Sequence, residues 1–196
     1  MTFPVSLALF ANAGLPMISL AFPAMLMLLI PVVIVEGLLC RKWLRLTTWE
    51  AMKSNAVSNL ASTIFGIPLA WVIMFAVELI SVGILGQFDA AYKWHSPLAQ
   101  VIWVLVGSAW IGSLGREHAI WPIPAATLVL LVPFFLASYA IEYRVMKSIM
   151  RMREGGPPEL PDGRVRIAVR NANLITYGAM FVAATVWLIF SLPKHR

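Results

Sequence analysis

The chain is 196 residues long, 60% hydrophobic and only 12% charged, with a net charge of +6 and a mean hydropathy of +0.82. An average soluble domain carries about a quarter charged residues, so this composition excludes an ordinary water-soluble fold and makes the bilayer the natural solvent. The basic excess does not indicate nucleic acid: Lys and Arg flank apolar runs, as membrane topology requires, and no RNA- or DNA-reading signature occurs.

In chain order, residues 1–13 are apolar and end in Ala11-Asn12-Ala13, the small-x-small pattern that precedes a signal-peptidase cut. The first ten residues hold no Lys or Arg, so this segment reads either as a signal peptide or as an apolar arm at the outer interface. Residues 17–40, "MISLAFPAMLMLLIPVVIVEGLLC", form the first predicted span, long enough for a hydrocarbon core of about 30 Å. Pro23 and Pro31 should kink it, which a membrane tolerates better than water does. Cys40 is the single cysteine, which excludes an intrachain disulfide and any CxxC metal or redox pair. It reads as an apolar filler at the end of the span. A second span is predicted within 56–86, a third at 119–141 and a fourth at 171–192.

The segment 97–114, "PLAQVIWVLVGSAWIGSL", is short for a span, and charge decides its placement. With four crossings, the loops at 41–55 and 142–170 share one side and hold eleven of the fifteen Lys and Arg residues, while Lys93, Arg116, Lys194 and Arg196 lie opposite. A fifth crossing would separate the two basic loops and break the positive-inside rule. Residues 97–114 are therefore expected to be a re-entrant or interfacial helix on the outer side, with both termini outside.

Two stretches resemble each other. "NLAST" at 59–63 aligns with "NLITY" at 173–177, each after a basic loop, and each preceded by a proline-containing helix with one acid near its end, Glu36 or Glu142. The predicted fold is thus an all-α integral membrane protein. Its four transmembrane helices form two parallel-repeat hairpins, 14–86 and 119–196, joined by an outer segment 87–118 that carries the short helix. Parallel repeats of this kind occur in transporters.

The polar residues within or beside the spans carry what functional signal there is. Asn59, Ser62 and Gly66 recur at i, i+3 and i+7 on one helix face, and Asn173 and Thr176 offer the same pair. Such a face permits close helix approach and interhelical hydrogen bonds. The alternative is that Asn55, Asn59, Asn171 and Asn173 cap helix N-termini at the wetted boundary. Acids in a span are costly and mark functional candidates. Glu36 and Glu142 are expected either to ion-pair with Arg41, Arg45, Lys53 or Arg144 or to form a proton or cation site shared between the repeats. The candidate binding residues, for an ion or between helices, are therefore Glu36, Glu142, Asn59 and Asn173. Glu78 should lie near the outer interface, within reach of Lys93 or Arg116.

Asp89, His95, Glu117 and His118 could in principle ligate zinc, but they lack the spacing of a metal motif. No nucleophile elbow, phosphate loop, dinucleotide fingerprint or haem motif is present. No catalytic residue, metal or cofactor is therefore expected. The eight tryptophans fall mostly near predicted interfaces, where amphipathic rings belong. Three functions follow in order. The first is a non-catalytic accessory, assembly or scaffold subunit of a membrane complex, associating with other membrane subunits or with itself. The second is a small dimeric transporter or channel using Glu36 and Glu142. The third is a membrane enzyme with an outer His/acid metal site. The expected location is a bacterial inner membrane, with lipid as the constant partner and the 142–170 loop cytoplasmic.

Overall fold

The computed structural model describes residues 15–85, 97–111, 121–152 and 162–192. They form helices α1 (Ile18–Leu44), α2 (Thr48–Ala61), α3 (Ile67–Leu85), α4 (Pro97–Val106), α5 (Pro122–Arg151) and α6 (Asp162–Ser191). A single π turn, Ser62–Gly66, joins α2 to α3. Four helical stretches are long and apolar enough to cross a membrane: Ile18–Leu44, Thr48–Ser81, Pro122–Arg151 and Gly163–Ser191. At 1.5 Å per residue the shortest of these, α1, is about 40 Å long. Large apolar side chains lie open on them, among them Met27, Ile30, Phe65 and Phe190. Lipid accepts such faces, whereas water penalises contiguous apolar patches of this size.

These helices run past the apolar runs that predicted them. The second begins at Thr48 and the fourth at Asp162, so Asn55, Asn59, Asn171 and Asn173 are interior helical residues. Capping falls instead to Thr47, whose hydroxyl accepts the Glu50 N–H at 3.3 Å while the Glu50 carboxylate accepts the Thr47 N–H at 2.9 Å. This reciprocal box satisfies two otherwise orphaned donors. Just before it, Arg45 takes a left-handed conformation (φ 53°), and the Leu46 N–H reaches back to the Arg41 carbonyl at 3.2 Å. That is the six-to-one bond with which a helix closes against a left-handed residue. A stop signal at Arg45 and a start signal at Thr47, two residues apart, make α1 and α2 a tight hairpin.

The chain divides into two compact units. One comprises Met1–Ala21, Trp71–Leu130 and Ala183–Arg196. In it Leu15–Pro16 pairs antiparallel with Trp110–Ile111. The buried residues Gly107, Ser108 and Ala109 follow α4, and the Ala109 carbonyl accepts both the Met17 N–H at 3.0 Å and the Trp71 indole N–H at 2.9 Å. Helix α4 has ten residues, about half the length a crossing needs. Glu78 is buried in this unit; Lys93 and Arg116, its expected partners, lie outside the described residues, as do residues 1–13.

The other unit, Phe22–Ala70 with Leu131–Val182, holds a hydrophobic cluster that includes Cys40, Leu44, Ala51, Met146, Val169 and Ala172. Cys40 is fully buried there as a free thiol, which is the filler role expected of it. Small residues set the helix spacing. A Cβ on Gly37 would meet the Met52 sulfur at 2.7 Å, and one on Gly66 would meet Ile141 Cδ1 at 3.0 Å, with the Ala137 backbone at 3.6 Å.

Candidate functional site

Glu36, Asn59, Ser62, Glu142, Asn173 and Thr176 meet in the second unit, and all six are buried. Asn59 Nδ2 donates to Glu36 Oε2 at 2.8 Å, and Thr176 Oγ1 donates to Glu36 Oε1 at 2.6 Å. Asn173 Nδ2 donates to Glu142 Oε2 at 2.6 Å, and Ser62 Oγ donates to Glu142 Oε1 at 2.8 Å. Each of the four carboxylate oxygens therefore accepts one short bond. Each acid takes its amide from the helix that follows it in the chain and its hydroxyl from the other pair of helices. The two carboxyl groups are direct neighbours.

Helical spacing explains how so few residues build this. Asn59 and Ser62, like Asn173 and Thr176, are three apart and so project from one helix face. One face then delivers an amide to one acid and a hydroxyl to the other. Ser62 also opens the π turn, whose wider ring closes from the Ile67 N–H to the Ser62 carbonyl. π turns are rare and concentrate at functional sites.

The basic residues at the helix ends are not the partners of these acids. Arg41, Arg45, Lys53 and Arg144 were the expected counter-ions, yet all four carboxylate oxygens are taken by neutral donors. The reason is geometric. The acids lie on buried helix faces, and the asparagines that follow sit deep enough in their helices to reach them. A second feature is the Asn173 amide. Its Nδ2 serves Glu142 and the Val169 carbonyl, while its buried Oδ1 has no partner among the described residues. Leftover buried acceptors are uncommon and call for a reason.

Beside Glu142 is a cavity of about 20 Å³. Asn59, Ser62, Thr63, Ser138, Glu142 and Tyr177 supply its polar lining, and methionine and aliphatic side chains make up the rest. The Ser138 and Tyr177 hydroxyls are hydrogen-bonded to each other at 2.7 Å, and the Tyr177 ring packs edge-on against Phe135 at 5.6 Å.

All four sequence-derived candidates, Glu36, Glu142, Asn59 and Asn173, thus occupy one site. Thr63, Ser138 and Tyr177 are not among those candidates. Thr63 and Tyr177 are the last positions of the two aligned stretches, a signal that could have found them. Ser138 offers only a hydroxyl within an apolar run, which is too common in membrane helices to select it. Asp89, His95, Glu117 and His118 lie outside the described residues, so the outer metal reading has no geometry here. Comparison with protein families, curated proteins and solved structures finds no match.

Proposed function

We propose that this integral membrane protein is a small proton-handling transporter or channel whose working centre is the Glu36–Glu142 pair. One observation carries the reading: two neighbouring carboxyl groups are buried together, and their hydrogen bonds come from amides and hydroxyls rather than from a cation. Two like charges in contact in a poorly polarisable medium repel strongly, and burying them unpaired is costlier still. A proton held between them relieves both penalties. Donor groups aimed at every carboxylate oxygen favour a proton over a metal ion, which would need those oxygens turned toward itself and further oxygen ligands around it.

The reciprocal exchange of amides and hydroxyls also supports two co-oriented hairpins, 14–86 and 119–196, derived from one repeat. The pair would then sit where the repeats meet, as ion sites do in transporters built this way. Four crossings with both termini outside follow from the basic loops, and α4 with its buried bend at Gly107–Ala109 suits a re-entrant segment covered by protein. A bacterial inner membrane fits this arrangement. Four helices enclose little volume, so a homodimer is the natural working form.

The test is proton flux into liposomes under an imposed gradient. The wild type should conduct, and the Glu36→Gln/Glu142→Gln double variant should not. Equal flux in both overturns the reading.

The completeness of the hydrogen bonding favours a second reading, in which the acids are a static clamp within an accessory or scaffold subunit. That role predicts no flux from either protein, together with a membrane partner that co-purifies in mild detergent.

A further inference from the structure

The proton site proposed above needs a group with which to exchange its proton, and the cavity beside Glu142 has room for one. We infer that this cavity binds a single water which delivers protons to Glu142, with the Ser138–Tyr177 hydroxyl pair holding that water in place. The inference rests on the proton-handling reading and adds the route and the residues that control it.

Size and chemistry both fit. One water needs a cavity of roughly 10–15 Å³ or more and two to four polar partners. The cavity measures about 20 Å³, and Asn59, Ser62, Thr63, Ser138, Glu142 and Tyr177 are the polar residues of its lining. Glu142 borders this space and Glu36 is not among its lining residues, so Glu142 is the acid that exchanges with the water, and Glu36 follows through its neighbour. Among the described residues, the other titratable groups near Glu142 are Glu36 itself, Tyr177 across the cavity, and Cys40 one turn beyond Glu36. None of them is cationic.

The step balances simply. A hydronium formed at the cavity water transfers its proton to a Glu142 oxygen, leaving neutral water and a neutral acid, and release runs in reverse. The Ser138–Tyr177 bond can be donated from either side. That freedom lets the pair present either a donor or an acceptor to the water as its protonation changes.

The experiment follows the carboxylic acid C=O infrared band of the purified full-length protein in lipid nanodiscs. The band is assigned by its loss in Glu142→Gln, and its exchange half-time is read on switching from H₂O to D₂O. Tyr177→Phe keeps the ring and removes the hydroxyl; it should retain the band and slow its exchange about ten-fold, the rate equivalent of one lost hydrogen bond. Ser138→Leu, which fills the cavity, should slow exchange further. Ser138→Ala provides a milder version should the leucine disturb folding.

Unchanged exchange in Tyr177→Phe and in both Ser138 variants, with the band intact, overturns the water route while leaving the acid pair standing. A wild-type protein with no Glu142 acid band at any pH overturns the proton site and the route together. Loss of the band on adding sodium at fixed pH would mean that a metal ion occupies the cavity, and would overturn the route as well.

Discussion

Thr176 donates its hydroxyl to Glu36 at 2.6 Å across 140 residues of chain. Ser62 does the same for Glu142 at 2.8 Å across 80. These two bonds tie the first pair of helices to the second, and each joins a small hydroxyl to a buried acid. The amide bonds are local by comparison, spanning 23 and 31 residues, and hold each acid against the next helix. Removing a hydroxyl therefore loosens the association between the pairs, whereas removing an amide loosens one pair internally.

Thr176→Val is accordingly expected to destabilise the protein by about 1–3 kcal/mol, because it leaves a buried carboxylate oxygen without its donor. Thr176→Ser should recover most of that loss. Reversible unfolding in mixed micelles measures both. A double-mutant cycle with Glu36→Gln should show coupling, since the two residues touch. Additive effects would mean that the bond contributes nothing in the membrane.

The Gly66 contact gives a second expectation. Gly66→Val places a branched side chain against Ile141 and the Ala137 backbone, and overpacking of this kind costs about 1–3 kcal/mol. Trimming the neighbour removes the Ile141 Cδ1 atom and should relieve part of it, so Gly66→Val/Ile141→Val should cost less than Gly66→Val and Ile141→Val added together. The same unfolding measurement decides. Gly37→Ala should be milder, because the obstructing atoms there are the flexible end of Met52.

How far was this legible from the residues? The Asn59 and Asn173 pair was readable because an amide in an apolar run is expensive and recurs with a hydroxyl three residues on. Glu36 and Glu142 stood out for the same cost. Their mutual contact was not readable, since it depends on how two distant pairs of helices pack. The nearby arginines and lysines also offered a simpler partner by proximity in the chain. Helix ends are not legible in the apolar runs, because hydropathy stops at the polar boundary while helices do not. The Thr47–Glu50 box lies outside the apolar run, and so does Arg170, which is exposed on a helix that has already begun at Asp162. The π turn at Ser62–Gly66 leaves no mark in composition at all.

The hairpin turn offers a test of opposite sign. Arg45 holds a left-handed backbone that costs a side-chain-bearing residue about 1–2 kcal/mol, so Arg45→Gly should stabilise the protein by roughly 1 kcal/mol once glycine's greater freedom in the unfolded chain is set against the relief. Thr47→Ala should destabilise it by about 1 kcal/mol through loss of the cap. Neither change touches the acid pair, so both variants should keep the wild-type proton flux. A change in flux would couple the turn to the site in a way the hydrogen bonds do not suggest.

Orientation can be tested through the single thiol. Cys40 is fully buried, so a maleimide should label the native protein slowly and the unfolded protein fast. Replacing it with alanine then gives a cysteine-free background. On that background Trp49→Cys and Met152→Cys place thiols at two exposed positions, 75% and 73% accessible, beside the two basic loops. If those loops share the cytoplasmic side, an impermeant maleimide should label neither in intact cells and both after permeabilisation. A cysteine at Ala91 should behave oppositely. Labelling of Trp49→Cys but not Met152→Cys in intact cells would contradict the packing itself, because Leu44, Leu46 and Ala51 share one buried cluster with Met146, Val165 and Ala168, which holds the two basic loops at the same end of the helices. The acid pair, built on that packing, would be overturned with it.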